Sequence, residues 1–468
     1  MTIEDIKAVY FVGAGGIGMS ALIRYFLSKG KFVAGYDLHA SPLTKQLEEE
    51  GAAIHYEDKV ELIPACCTDK EQTLVVYTPA IPASHTELSF FRTEGFEIVK
   101  RAAVLGTITR SSRGLCIAGT HGKTTTSSMV AHLLKQSEVD CNAFLGGILK
   151  NYDSNLLLSD KSDLTVIEAD EFDRSFHQLD PYMAVITSAD PDHLDIYGTA
   201  ESYRESFEHF TSLIRPGGLL LMRKGIAVSP RLQAGVSLKT YGMDAQCDYY
   251  AENILVGKGE IHFDFVAPSF RIEHISLGVP LRINVENAVA AITIATLNGA
   301  TPAEVKHAIS TYSGAQRRFD FHLKTDKIVL IDDYAHHPEE LKASIQSVKE
   351  LYAGKHICGI FQPHLYTRTR DFAADFAQSL SAVDQLILLD IYPAREEPIE
   401  GVSSQLIFDK VCLENKVCCR KEELVDLMKK GQYEVVLMVG AGDIEQLIAP
   451  VKQLLEENYL PTNEQPLP

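Results

Sequence analysis

The chain has no tryptophan, too few basic residues for its acidic ones, no CxxC pair and no apolar run of membrane length. Each absence removes a class of function. With 44 Lys and Arg against 63 Asp and Glu, the formal net charge is −19. A nucleic-acid surface needs clustered cations to neutralise phosphates, so no nucleic-acid partner is expected. Any anionic ligand must instead be held by local donors. The longest apolar stretches, such as "AVAAITIATL", stop far short of the roughly 20 residues of a membrane span, so no membrane partner is expected. "MTIEDIKAVYF" lacks the basic region and apolar core of a signal peptide. The 9 cysteines are scattered, apart from Cys66-Cys67 and Cys418-Cys419. Neighbouring cysteines do not readily close a structural bridge, and no zinc spacing appears. Reduced thiols in a cytoplasmic protein are the expectation. No short repeat or low-complexity tract interrupts the 468 residues, a length that suits about three domains.

What is present begins with "VYFVGAGGIGMSALIRYFLSKGKFVAGYD". A β-rich run ends in Gly13 to Gly18, a helical stretch follows, and a second strand ends in Asp37. Taken alone this is the dinucleotide-binding fingerprint, which predicts a nicotinamide or flavin enzyme. Its physical content is narrower: a tight turn lets a pyrophosphate approach backbone N–H groups at a helix start. "AVYFVG", "KFVAGYD", "AAIHY", "TLVVYTPA" and "FEIVKR" read as strands separated by helical patterning, which predicts a parallel sheet ending near Thr109. A second α/β unit starts at "GLCIAGTHGKTTTSS" and continues through "DLTVIEAD", "YMAVITSAD" and "GLLLMRK". An antiparallel β-rich stretch is expected from about Lys239 to Ile283, then a helix ended by Gly299. From about Gly314, "KIVLIDD", "HICGIF", "QLILLD" and "YEVVLMVG" repeat the strand-to-loop pattern. The tail "LPTNEQPLP" has the composition of a disordered end. The expected architecture is α/β with three domains: a Rossmann-like domain over 1–109, a P-loop ATPase-like domain over 110–314, and a second Rossmann-like domain over 315–468.

The second glycine loop is the more informative. In "IAGTHGKTTTSS" a strand leads into Gly119-Thr120-His121-Gly122-Lys123-Thr124-Thr125, and a helix follows. Backbone N–H groups there can cradle phosphate oxygens, Lys123 adds a point charge, and the Thr124 hydroxyl suits Mg²⁺. The strict Walker spacing is not met, because Ile117 stands where it would require Gly. A tight turn before a helix is the plain alternative, but it gives no reason for the Gly-Lys-Thr triplet. Downstream, "TVIEADEFD" puts Glu168, Asp170 and Glu171 at a strand end, and "TSADPDHLDIYGT" puts Asp192, His193 and Asp195 at another. Parallel sheets carry ligand groups at such ends, so ATP with Mg²⁺ is the expected occupant.

The motifs in order, "GAGGIGMS", "GTHGKTTTS", "EADEFD", "DPDHLD", "NVENA", "RRFD", "DDYAHHP", "QPHLYTRTRD", "YPAREEPIEGV" and "GAGDI", resemble those of the Mur ligases, the ATP-dependent amino-acid ligases of peptidoglycan synthesis. The resemblance covers nearly the whole chain. It implies a first domain for a UDP sugar, a second for ATP and a third for the amino acid. It also implies ligation of L-alanine to UDP-N-acetylmuramate through an acyl phosphate. By position, Gly15, Gly16, Ile17, Gly18 and Asp37 would hold the UDP sugar. The ATP site would comprise Gly119 to Thr125, with Asn287 facing adenine, Arg318 the phosphates and Asp333 the ribose. Lys123, Glu168, His193 and Arg318 would be catalytic. Thr124, Glu168 and His193 would bind Mg²⁺, and Tyr334, His336 and Arg368 would place the amino acid.

The plain readings stand beside these. His336-His337 before Pro338 could be a helix start, "RTRD" a surface charge cluster, and Asn287 a cap. Some positions depart from the family pattern. Ile283 replaces a usual His, Leu365 replaces the Arg of "QPHRYTRT", leaving Arg368 and Arg370 for the amino acid, and "YTPAI" stands where serines are common. The competing functions are a related ligase that attaches a recycled peptide or another amino acid, a nicotinamide-dependent dehydrogenase, and a non-catalytic nucleotide sensor. A monomer or homodimer is expected.

Overall fold

In a computed structural model of the chain, the strand Ala8–Val12 is buried at all five positions. Successive side chains point to opposite faces of a sheet, and both faces here are covered. Val9 and Phe11 pack with Leu22 and Phe26 of the helix Ile17–Ser28. Ala8, Tyr10 and Val12 join a separate cluster with Leu88 and Phe91. In that second layer the Tyr10 hydroxyl donates to Glu87 Oε2 at 2.6 Å and lies 2.7 Å from His55 Nε2. Burial pushes the Glu87 carboxyl up to about 7. The structure describes residues 5–78, 81–82, 84–394 and 396–460, without the side chains of 194 and 195. Pro79 and Ala80 of "YTPAI", the Asp195 side chain, Arg395 and nearly all of the tail therefore lie outside the described residues.

Three sheets are formed. The first has the order Ala53–His55, Phe32–Tyr36, Ala8–Val12, Thr73–Tyr77, Glu97–Lys100, all parallel as the sequence predicts. The order reverses beside Ala8–Val12, the place where doubly wound sheets open a ligand crevice. The second has ten strands. Its centre is Leu219–Arg223, Met183–Ile186, Arg113–Ala118 and Leu164–Ala169, mutually parallel. One edge carries Asn142–Leu149 paired antiparallel with Ser154–Leu157. Towards the other edge the order runs through Ser237–Gly242, Tyr249–Gly257 and Glu260–Val266 to Arg271–Ser276. Ser237–Gly242 pairs parallel with Leu219–Arg223 and also with Tyr249–Gly257, so the stretch expected to be antiparallel from about Lys239 begins as a continuation of the parallel sheet. The third sheet has the order Asp320–Lys324, Val329–Asp333, Val435–Val439, Ile357–Phe361, Gln385–Leu389, Lys416–Cys419. Only its first pair is antiparallel.

By contacts the chain forms two compact units. One comprises Met1–Glu252, Asp264–Glu273 and Glu286–Ser313; the other comprises Asn253–Phe263, His274–Val285 and Gly314–Pro468. Among the described residues no helix is long and apolar enough to cross a membrane.

Candidate functional site

Register builds the site in the first unit. Ala118 is level with Ala169 on one neighbouring strand and with Ile186 on the other. The glycine loop, the acidic run after Glu168, and Thr187-Ser188 thus emerge side by side. The loop turns back sharply at Gly119, with φ of +145°, where an added Cβ would lie 2.0 Å from Thr187 Oγ1. It turns again at Gly122, with φ of +83°, where a Cβ would lie 3.0 Å from Asn287 Oδ1. Only glycine fits the first position. Ser188 Oγ accepts from His121 N–H at 2.7 Å, and Thr120 Oγ1 donates to Asp190 O at 2.7 Å, which holds the loop in shape.

The helix Lys123–Lys135 starts directly from this turn, with Gly122 at its cap and no capping side chain. The first N–H groups of any helix lack intrahelical acceptors. At some other helices side chains supply them: Ser41 and Thr44 form a capping box, as do Thr301 and Glu304. The helix Ile17–Ser28 behaves like Lys123–Lys135, with Gly16 as cap and no acid in its first turn. Both of these open starts follow the glycine loops singled out in the sequence, although other helices, Arg101–Arg110 among them, also begin without a capping side chain.

Lys123 is folded back on its own loop. Its ammonium donates to Gly119 O at 2.6 Å and lies 2.7 Å from Glu171 Oε2. Burial opposes its charge, but Glu171 and Glu168 outweigh burial and hold the lysine above its ordinary value. Burial pushes the Glu171 carboxyl up to about 7 against the pull of Lys123. Thr124 Oγ1 donates to Glu168 Oε1 at 3.1 Å, and the other Glu168 oxygen accepts from Gly146 N–H at 3.1 Å. Lys123, Thr124 and Glu168 therefore stand together as the sequence suggests. His193 does not join them. It adopts φ of +52°, donates its backbone N–H to Asp192 Oδ1 at 2.7 Å and packs its ring edge-on to Phe172 at 5.1 Å. Asn287 accepts from Thr126 Oγ1 at 3.2 Å, so it does abut the loop. The capping reading of Asn287 is wrong, because its helix begins five residues earlier, at Arg282.

At the first glycine loop, Asp37 Oδ2 accepts from Gly15 N–H at 2.6 Å, so the acid at the end of the second strand braces the turn. A cavity of about 280 Å³ runs from Gly16, Ile17 and Gly18 to Gly146, Glu168 and Asp170. Arg101 also lines it and was missed by sequence reasoning, since "VKRAAVLG" matches no phosphate motif.

The other unit carries its own cluster at strand ends. Tyr334 N–H donates to Arg317 O at 2.7 Å, and the Arg318 guanidinium lies 5.2 Å from the Tyr334 ring centre. Asp333 accepts from Phe319 N–H at 3.3 Å, and burial raises its carboxyl above the ordinary range. The His336 ring meets Tyr334 edge-on at 5.3 Å and lies 6.0 Å from His364. Burial holds His336 below its ordinary value despite nearby Glu340. Arg368 Nη1 lies 3.3 Å from His364 Nδ1. Tyr334, His336 and Arg368 therefore converge. Arg370, by contrast, is half exposed and pairs with Asp371, a surface pair. The helix-start reading holds for His337, which caps Pro338–Leu351. Ile283 is exposed at the start of its helix.

Serial parallel sheets with glycine loops feeding uncapped helices, and a lysine and acids beside one of them, define a nucleotide-binding α/β enzyme. Three family models match in sequence order: "Mur ligase family, catalytic domain" over residues 8–113, "Mur ligase middle domain" over 117–295, and "Mur ligase, glutamate ligase domain" over 317–442. The chain belongs to the Mur ligase family. It is 70% identical over 455 residues to the UDP-N-acetylmuramate–L-alanine ligase of Parabacteroides distasonis, covering 97% of this chain and 98% of that one. It is 59% identical to the same-named enzyme of Porphyromonas gingivalis, over 96% and 99% of the two chains. Among solved structures, UDP-N-acetylmuramate-alanine ligase from Thermotoga maritima superposes with a TM-score of 0.81 at 28% identity, over 96% and 99%. A murein peptide ligase from Psychrobacter arcticus shares the fold, with a TM-score of 0.67 at 20% identity over 96% and 98%. The nicotinamide reading of the opening glycines is thereby overturned: a pyrophosphate-binding turn is not specific to dinucleotides.

Proposed function

We propose that the chain is an ATP-dependent ligase that joins L-alanine to the lactyl carboxylate of UDP-N-acetylmuramate, releasing ADP and phosphate, in peptidoglycan precursor synthesis. The supporting observation is the pairing of Lys123 with Glu171 and of Thr124 with Glu168 beneath an uncapped helix. It occurs in a chain similar over nearly its whole length to alanine ligases. The working division is 1–109 for the UDP sugar, 110–314 for ATP and 315–468 for the amino acid, with small molecules as partners in the cytoplasm.

A carboxylate and a triphosphate repel, so their meeting requires cations. Gly119 to Thr125 cradle the phosphates by backbone N–H groups, and Lys123 exchanges its loop carbonyls and Glu171 for the γ-phosphate. Asn287 faces adenine, Arg318 the phosphates and Asp333 the ribose. Thr124 and Glu168 place hard oxygen donors 3.1 Å apart, a set that fits Mg²⁺, with His193 serving a second ion. When bound, Mg²⁺ supplies charge neutralisation at the phosphoryl oxygens. The carboxylate oxygen attacks the γ-phosphorus in line and ADP leaves. The alanine amine then attacks the acyl carbon and phosphate departs. Arg368 suits the planar alanine carboxylate, with Tyr334 and His336 beside it. Gly15 to Gly18 hold the diphosphate of the sugar nucleotide, with Asp37 stiffening that turn.

The test is phosphate release with ATP, Mg²⁺, UDP-N-acetylmuramate and single amino acids. Release is expected only when sugar nucleotide and amine are both present, fastest with L-alanine. Turnover without the sugar nucleotide, or preference for a tripeptide, overturns the reading.

A further inference from the structure

We infer that Arg101 is a substrate-binding residue that takes one phosphate of the sugar nucleotide's diphosphate, and that Asp170 is its partner in the absence of substrate. The inference rests on the ligase reading above and goes beyond it, since Arg101 belongs to neither glycine loop.

Arg101 opens the helix Arg101–Arg110, directly after the edge strand Glu97–Lys100 of the first sheet. Its guanidinium projects over the start of the helix Ile17–Ser28. A Cβ built on Gly18 would lie 2.5 Å from Arg101 Nη1, so the side chain reaches this helix turn because residue 18 has no side chain. The turn is uncapped, and a pyrophosphate lying on its N–H groups would come within reach of Nη1. On its other side Arg101 Nη2 donates to Asp170 Oδ2 at 3.2 Å. That acid is in the same short run as Glu168 and Glu171. The same cavity touches Gly16 to Gly18, Arg101, Glu168 and Asp170. A half-buried arginine in a cleft between an anion-binding turn and an acidic run suits a cation that changes partner. A planar fork can bond a phosphate with two parallel N–H groups, and dianionic diphosphate outcompetes one carboxylate for it. Gly18 is thus explained by the arginine as well as by the ligand.

The test compares wild type with R101A, R101K, G18A and D170N by calorimetric titration with UDP alone and with UDP-N-acetylmuramate, alongside steady-state kinetics. R101A is expected to weaken both ligands by roughly 10- to 100-fold, the loss of charge-assisted hydrogen bonds. The KM for ATP should stay within about 3-fold, and R101K should restore part of the affinity as a point charge. G18A, which displaces the guanidinium, should weaken UDP in the same direction. D170N should bind UDP as tightly as wild type or more so, because it removes the competing carboxylate. UDP affinity unchanged in R101A, or a KM for ATP that rises as much as the KM for the sugar nucleotide, overturns the inference. A wild-type protein that binds UDP but ligates nothing counts against the ligase reading and leaves the comparison of UDP affinities intact.

Discussion

At the scale of single residues, the proposed function rests on the pairs at the second glycine loop, Lys123 with Glu171 and Thr124 with Glu168. Lys123→Ala should lower turnover by about 100- to 1,000-fold, the cost of removing one donor aimed at developing charge. Affinity for UDP-N-acetylmuramate should remain within about 3-fold, measured by calorimetry, since the lysine points into its own loop and not at Gly15 to Gly18. The second prediction concerns Glu87, buried beneath Tyr10 and His55. Its carboxyl titrates near 7 in the fold against an ordinary 4.5. The folded state therefore binds the proton more tightly than the unfolded chain. That stabilisation is complete below about pH 4.5 and is lost as pH rises through about 7, with a total of about 1 to 3 kcal/mol. His55 contributes with the opposite sign, because burial lowers its value. Urea midpoints at pH 5 and pH 8 should fall further for wild type than for E87Q. Equal slopes would mean that Glu87 is ionised in the fold. Single residues were also where the sequence was least legible. The positions of Lys123 and Thr124 at a helix start and of Glu168 at a strand end follow from motif and strand pattern. That Asp37 braces Gly15, or that Arg101 meets Gly18, depends on where a side chain from a distant segment arrives, and no local spacing encodes that.

At the scale of elements, most strands were legible, because a buried parallel strand is an unbroken apolar run that ends in Gly, Asp or Ser. Strands that do not fit that description were not read. Asn142–Leu149 contains Gly146 and Gly147, and Asp320–Lys324 is a charged edge strand. The direction of Ser237–Gly242 departs from the antiparallel expectation because the strand is paired on both sides in the parallel sheet, and its burial rises along its length instead of alternating, so its pattern carries no sign of direction. Helix starts divide into two kinds, and the division itself is testable. Thr301→Ala removes the box that caps Pro302–Thr311 and should cost about 1 kcal/mol in urea denaturation, with the KM for ATP unchanged. A change in nucleotide affinity would show that this helix feeds the site.

At the scale of the whole molecule, the arrangement in series of three α/β sheets was legible from the recurrence of strand and helix patterning, and the family relationship agrees with it. The amino-acid preference was not, because a choice between amino acids turns on individual side-chain atoms, which no motif spacing encodes. The two glycine-capped helices have one further use. Their first-turn amides lack intrahelical acceptors, so without ligand they should exchange deuterium quickly, and a bound phosphate should slow them. Mass spectrometry of exchange should therefore show slowed uptake at Ile17 and Gly18 when UDP is added, and at Lys123 and Thr124 when a non-hydrolysable ATP analogue is added. On the proposed reading the chain thus contains two separately addressable clocks, each reporting the occupancy of its own glycine loop, where calorimetry gives only total binding and a protein with no tryptophan offers no indole signal.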